Sequence, residues 1–467
     1  MACHHAKISA KFHGKLHKQR EMKTLGKVIV SKFGEYTFAT HERIKKAADI
    51  LKSDPSRRYA VATAPGRRTL DDIKITDLLC MAHANSVNNE NFMDPLTQVR
   101  GRFEDIIKGL GIDFDLETEF ADIKKNLFFR KNLDYIASRG EYLISKIFAK
   151  FLGWEFIDAS KLIFFEKDGS LNLEKTLSTA SGVLKNVEHA VIPSFYGSIN
   201  ANQIKTFARE DCDTTGALIA EAVKADLLER WTEPKSIFVA DPAIVKDPLA
   251  VRNMTYAELV QITYMGLEVV NDLALFHLFK SEITMSIRMI DNVDDPGVLV
   301  TKELSAEISR NPVACITGKT GYRVIHIEKF GVNKTAGFMQ KLFTVFTKRN
   351  IPCEHCLTGI HRISLFLKNL MFDLRRNDIL NEIKNAIEPD ELTVENDVSL
   401  IALIGQGMNK AHGTFTKIFD ALAKAKIEVR MIDQGSDDVN IILGVHDADY
   451  EKAIKALYDN IILNKEA

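Results

Sequence analysis

The sequence is poor in every feature that marks a membrane-spanning, secreted or nucleic-acid-binding chain. No apolar run approaches the ~20 residues a helix needs to cross a bilayer, so no membrane partner is expected. Neither sign of charge dominates, with 62 basic against 63 acidic residues. That balance gives no global field for a polyanion and excludes nucleic acid as the expected partner. The six cysteines (Cys3, Cys80, Cys212, Cys315, Cys353, Cys356) are scattered and follow no secretory leader, which predicts reduced thiols and a cytoplasmic protein. Cys353 and Cys356 flank His355 in CEHC, yet a closed zinc site needs four ligands and no second Cys/His pair at suitable spacing accompanies them. No metal site is therefore assigned.

What is present is a long chain of ordinary globular composition, 467 residues with 46% apolar content, enough for two to four domains. Residues 1–26 are basic and His-rich with one acid, Glu21, and read as a mobile extension; a transit or leader peptide is the alternative, although Ser and Arg are scarce. From residue 27 strand signals alternate with helical ones: KVIVSKF before HERIKKAADILKS, RYAVATAPGRR before TLDDIKITDLLCMAHA, then WEFIDASKLIFF, HAVIPSFYG and RWTEPKSIFVADPAIV. This rhythm predicts an α/β domain with a mainly parallel sheet over 27–305, interrupted by a charged, helix-rich lobe at 96–150. From about Thr317 the rhythm becomes strand, helix, strand, strand, helix, and it occurs twice. Two small α+β units of ferredoxin-like βαββαβ form are expected at 317–395 and 397–465.

Several motifs then fall in one order: SKFG at 31–34, ATAPGRR at 62–68, ITDLL at 75–79, SRGEYLISKI at 138–147, TFAR followed by DTTGAL at 206–218, and NIILGV at 440–445. In order and spacing the chain resembles the monofunctional aspartokinases over roughly 27–463, with PCEHCLTGIHRISLFL and IRMIDQGSDDVNIILGV resembling their two ACT domains. The resemblance implies an amino-acid kinase fold that transfers the ATP γ-phosphoryl group, with Mg²⁺, to the side-chain carboxylate of L-aspartate, at the start of lysine, threonine and methionine synthesis. By the same resemblance Lys32 and Asp213 are the catalytic residues, and Thr63, Glu141 and Arg209 bind aspartate, Glu141 through its α-amino group. Read without the family, Lys32 is a solvated strand-end lysine and Glu141 a first-turn acid that suits a helix dipole. Gly34, Thr232, Asp241 and Pro242 match nucleotide-binding positions. Gly337 and Phe338, with Glu354 and the turn Thr358-Gly359-Ile360, match an effector site for an amino acid, lysine first and threonine second. ACT sheets often complete one another through exposed edges, so a homodimer is expected.

The departures from the family pattern gather at phosphate-facing positions. The motif K-F-G-G-[TS]-S reads Lys32-Phe33-Gly34-Glu35-Tyr36-Thr37, and S-R-G-G-S-D reads Ala208-Arg209-Glu210-Asp211-Cys212-Asp213. The arginine of A-D-P-R is Ala243, and the lysine or threonine of G-A-[KT]-V-L-H is Glu268. A like-charge pair at about 4 Å in a dielectric near 20 costs about 4 kcal/mol. Unscreened acids at 35, 210, 211 and 268 thus predict poor triphosphate binding and no aspartate phosphorylation. A non-catalytic homologue acting as an amino-acid sensor or regulatory subunit is the alternative function. A rival reading has the same acids gather divalent cations.

Overall fold

Strand β1 (Ile29–Phe33) is buried along its whole length, as a strand covered on both faces must be. It pairs in parallel with β2 (Arg57–Ala62) on one side and β7 (Leu227–Thr232) on the other. Outward from these lie β4 (Ala190–Pro193), β3 (Glu155–Phe156) and β9 (Thr284–Met289), all parallel, and β10 (Val298–Thr301), antiparallel to β9. These seven strands follow one another in the order β3-β4-β2-β1-β7-β9-β10. The computed structural model describes residues 27–463 except 131, 201–202, 209–210, 234–236, 268, 305–310, 409–410 and 436–438. The chain divides into two units, residues up to 236 with 270–302, and 237–269 with 303 onward.

The side chains of β1 and β7 sort by strand alternation. On one face Phe33 stacks on Trp231, with ring centroids 6.3 Å apart, in a core shared with Phe38, Phe103 and Phe148. That core reaches into the helices α3 (Met93–Leu110), α4 (Leu116–Phe128), α5 (Leu133–Ala137) and α6 (Arg139–Leu152), the lobe expected at 96–150. On this face too, Glu229 is 2% exposed and receives Arg57 through a fork, Nε at 2.8 Å and Nη2 at 2.9 Å, with further hydrogen bonds from Ser31 and the Trp231 indole. A carboxylate so buried is tolerated because both of its oxygens accept hydrogen bonds and a guanidinium pairs its charge. On the opposite face stand Lys32 and Arg230, paired in register.

In the second unit two 14-residue antiparallel strands, β11 (Cys315–Glu328) and β14 (Glu391–Ile404), run the length of one sheet ordered β12-β13-β11-β14-β16-β15. The distal half of β11 joins β13 (Arg362–Lys368), β12 (His355–Thr358), two packed helices and the first half of β14. That completes one βαββαβ unit. The second half of β14, β16 (Asn440–His446) and β15 (Met431–Gln434) take their remaining strand from Cys315–Lys319, at the start of β11. The first βαββαβ unit is therefore inserted within the second βαββαβ unit, an arrangement that two tandem copies in sequence do not express.

Candidate active site

The loops that follow β1, β2, β4 and β7 leave the same carboxyl edge of the parallel sheet, the place where open α/β sheets bind ligands. Backbone hydrogen bonds lace them together: Gly34 N to Trp231 O at 2.9 Å, Gly66 N to Glu35 O at 2.9 Å, and Ser194 N to Ala62 O at 2.9 Å. The Phe195 amide donates to Thr215 Oγ1 at 3.1 Å, and the Ser194 and Thr63 hydroxyls meet at 3.2 Å. Phe195 holds a left-handed backbone, φ 77°, an unfavourable state for a side chain that places its ring against the pocket.

Asp213 opens helix α8 (Asp213–Val223) and lies 2.7 Å from Lys32 Nζ and 3.0 Å from Arg230 Nε. Burial alone would raise its pKa, but the charges of Arg230 and Lys32 hold the Asp213 carboxyl well below the ordinary range. Helix α8 packs closely on Lys32 because residue 216 is glycine: a Cβ there would stand 3.3 Å from Lys32 Cβ and Cγ. Two cations against one carboxylate leave a net positive charge at a helix N-terminus, an arrangement suited to phosphate oxygens.

Beside this cluster is a small pocket of about 50 Å³ whose walls include Glu35, Thr63, Lys74, Glu141, Phe195 and Cys212. Glu141 sits in the first turn of α6, brought against the β2 loop because Gly140 carries no Cβ; one there would come within 2.8 Å of Ala64 Cβ. Its carboxylate is buried, and Oε2 has no hydrogen-bond partner. Burial pushes the Glu141 carboxyl up to about 8, against the lowering effect of its own and Ala64's backbone N–H groups. An unsatisfied carboxylate oxygen in a pocket is a site for a ligand ammonium. Burial likewise pushes the Cys212 thiol up to about 12, so it lines the wall as a neutral group.

The structure brings Lys32, Asp213, Thr63 and Glu141 to one edge of the first unit, with Gly34 and Thr232 at the strand ends beside them. Arg209, Glu210 and Glu268 lie outside the described residues. Asp241 and Pro242 belong to the second unit, where Asp241 Oδ1 accepts the Ala243 amide at 2.8 Å. Two of the acids expected to repel phosphate have internal partners. Glu35 pairs with Lys74 at 3.1 Å. Asp211 is buried and caps the start of α8, accepting Thr214 N at 3.2 Å and Thr214 Oγ1 at 2.8 Å. Arg230 and Lys74 escaped the sequence reading. Alternation and parallel register would have placed Arg230 beside Lys32, but nothing local reveals that register.

In the second unit, Gly337 caps helix α11 (Phe338–Thr347) with φ 77°, and Phe338 is buried. Gly359 N donates to Arg362 O at 2.7 Å to close the β12–β13 turn, and the 329–331 segment bonds to the same turn through His361. Glu354 lies at the other end of β12, bonded by the Tyr322 hydroxyl. Four residues of extended chain, about 13 Å, separate it from Thr358, so within one chain these effector positions form two clusters.

An amino acid kinase family model matches residues 27–288 and an ACT domain model residues 401–461. The crystal structure of Clostridium acetobutylicum aspartate kinase superposes with a TM-score of 0.86 at 37% identity, covering 93% of this chain and all of that one. Aspartokinase 3 of Bacillus subtilis is 27% identical, over 92% of this chain and 97% of its own length. Escherichia coli aspartokinase III, solved with aspartate and ADP, has the same fold at 20% identity and a TM-score of 0.72, covering 93% of this chain and all of that one. With its parallel-sheet unit, its ACT sheet and these matches, the chain belongs to the amino acid kinase family and, within it, to the aspartokinases.

Proposed function

We propose that this protein binds L-aspartate and phosphorylates its side-chain carboxylate with ATP and Mg²⁺. The observation that carries the reading is Glu141 Oε2, a buried and unpartnered carboxylate oxygen facing a pocket beside the Lys32–Asp213–Arg230 cluster. Glu141 would take the α-ammonium group and Thr63 a polar edge of the amino acid. The residues fit a triphosphate because Lys32 and Arg230 carry one charge more than Asp213, because Glu35 is ion-paired with Lys74, and because burial raises the pKa of Asp211 toward its neutral form while Thr214 bonds it. ATP supplies the transferable group and Mg²⁺ its charge neutralisation. Lys32 Nζ, released from Asp213 or shared with it, stabilises the charge that develops on the transferring oxygens, and Asp213 fixes the direction of both cations. Arg209 would grip a substrate carboxylate, and Gly34, Thr232, Asp241 and Pro242 would serve the nucleotide.

Escherichia coli aspartokinase III has also been solved with lysine and aspartate. By analogy an amino-acid effector, lysine before threonine, would occupy the Gly337–Phe338, Glu354 and 358–360 positions of this chain. A homodimer in the cytoplasm completes the proposal, built through the edge strands β12 and β15.

The second reading, a non-catalytic amino-acid sensor, is favoured by one feature: Glu35 occupies a glycine position of the family and lines the small pocket of about 50 Å³. A hydroxamate assay with Mg²⁺-ATP and L-aspartate decides. Turnover that Lys32→Ala abolishes supports the kinase; calorimetric aspartate binding without turnover supports the sensor.

A further inference from the structure

The first turn of α6 turns a second buried charge toward a different cavity. Arg139 is 7% exposed and is held by neutral groups only: its Nε donates to Tyr135 O at 3.2 Å and its Nη2 to Ser138 Oγ at 2.9 Å. The guanidinium lies 4.4 Å from the ring centroids of both Tyr135 and Tyr142 and 5.7 Å from that of Tyr196. Among the described residues no group bonds to Nη1, and no carboxylate lies within ion-pair distance of Arg139. Aromatic faces offset part of the desolvation of a guanidinium but supply no counter-ion, and Glu141, whose carboxyl Arg139 influences, is pushed toward its neutral form by burial.

The cavity that Arg139 faces holds about 360 Å³, within the range of small-molecule sites, and Tyr135, Tyr142, Asp122 and Asp158 share its walls. Asp122 accepts from the Tyr135 hydroxyl and from Asn126 Nδ2, and Asp158 accepts from the Tyr196 hydroxyl at 3.0 Å and Ser160 N at 2.9 Å. Among the described residues neither carboxylate has a cationic hydrogen-bond partner. The lining therefore combines a guanidinium without an ion-pair partner, two carboxylates bonded to neutral donors and aromatic rings, while its third carboxylate, Glu119, is already paired with Lys146. A simple anion would meet the acids, and a simple cation would meet the arginine. Only a molecule carrying both charges satisfies both.

We infer that this cavity is a second small-molecule site for a zwitterionic α-amino acid, its carboxylate on Arg139 Nη1 and its ammonium toward Asp122 and Asp158. The site is separate from the pocket of Glu141 and does not depend on phosphoryl transfer. Titration calorimetry on the full chain carrying Glu141→Gln, which disables the amino-acid pocket, tests it with L-alanine, L-threonine and L-lysine as probes and acetate and ethylammonium as half-ligands. At least one probe binds, Asp122→Asn and Arg139→Gln each weaken it tenfold or more, and neither half-ligand binds detectably. Asp122 is exposed, so its variant keeps the test decisive if Arg139→Gln fails to fold. Absence of binding by all three probes, binding unchanged in Asp122→Asn, or acetate binding as tightly as the amino acids overturns the inference.

Discussion

Replacing Glu141 by Gln separates the chemistry of the ligand from that of the scaffold. In the folded protein this carboxyl keeps its proton up to about pH 8, against 4.5 for an unperturbed glutamate. Between those values unfolding releases a proton, so the contribution of the neutral form is fully present below pH 4.5 and is lost as pH rises through 8. The interval of about 3.5 pK units corresponds to at most about 5 kcal/mol. Wild-type stability should therefore fall between pH 5 and 9 relative to Glu141→Gln, which has no proton to lose there. Ligand binding has the opposite dependence, because an ammonium needs the ionised carboxylate. At pH 7 roughly nine-tenths of the sites are protonated, so L-aspartate binding should release close to one proton and gain about fivefold in affinity by pH 8, approaching about tenfold only well above it. Loss of a charge-assisted hydrogen bond in Glu141→Gln should weaken binding by about 1.5–3 kcal/mol. Calorimetry in two buffers of different ionisation enthalpy reads the proton, and scanning fluorimetry across pH reads the stability. Equal affinities in the two proteins, no proton release, or parallel stability profiles would refute the assignment of this carboxylate to an ammonium.

Lys32→Ala should lower phosphoryl transfer by about 10²-fold or more with little change in aspartate affinity, measured by coupled turnover and calorimetry, since electrostatic stabilisation of this kind acts in the transition state. Arg57→Ala removes the forked partner of the buried Glu229, leaving Arg288 at 3.6 Å as its remaining ion-pair partner, and should cost about 3 kcal/mol in urea unfolding. Asp211→Ala removes a cap from α8 at about 1 kcal/mol and, as this acid is already engaged, should improve nucleotide affinity less than tenfold. A larger gain would show that Asp211 repels phosphate. Glu35→Gly should tighten aspartate binding measurably by opening the pocket, and unchanged calorimetric affinity would show that Glu35 does not restrict it.

By itself the sequence determined the elements and their chemistry. The apolar runs Val28–Val30 and Tyr59–Ala62 are unbroken because their strands are covered on both faces, and the helix of SRGEYLISKI places Glu141 in a first turn wherever that helix docks. Lys32, Thr63, Glu141 and Asp213 were singled out only through the resemblance to the aspartokinases; by themselves Lys32 reads as a solvated lysine and Glu141 as a first-turn acid. Tertiary structure decided what depends on pairing between distant segments. Parallel register set Arg230 beside Lys32 and turned the paired acid Asp213 into a shared counter-ion. Burial, which no local pattern reports, moved the Glu141 carboxyl toward neutrality and left its oxygen without a partner. The acids at 35 and 211 read as repulsive charges in a string of letters, and only folding shows that Lys74 and Thr214 meet them. The inserted ACT unit has the same origin: strand Cys315–Lys319 pairs with residues 400–404, more than eighty positions away, because the second unit's sheet lacks one strand of its own.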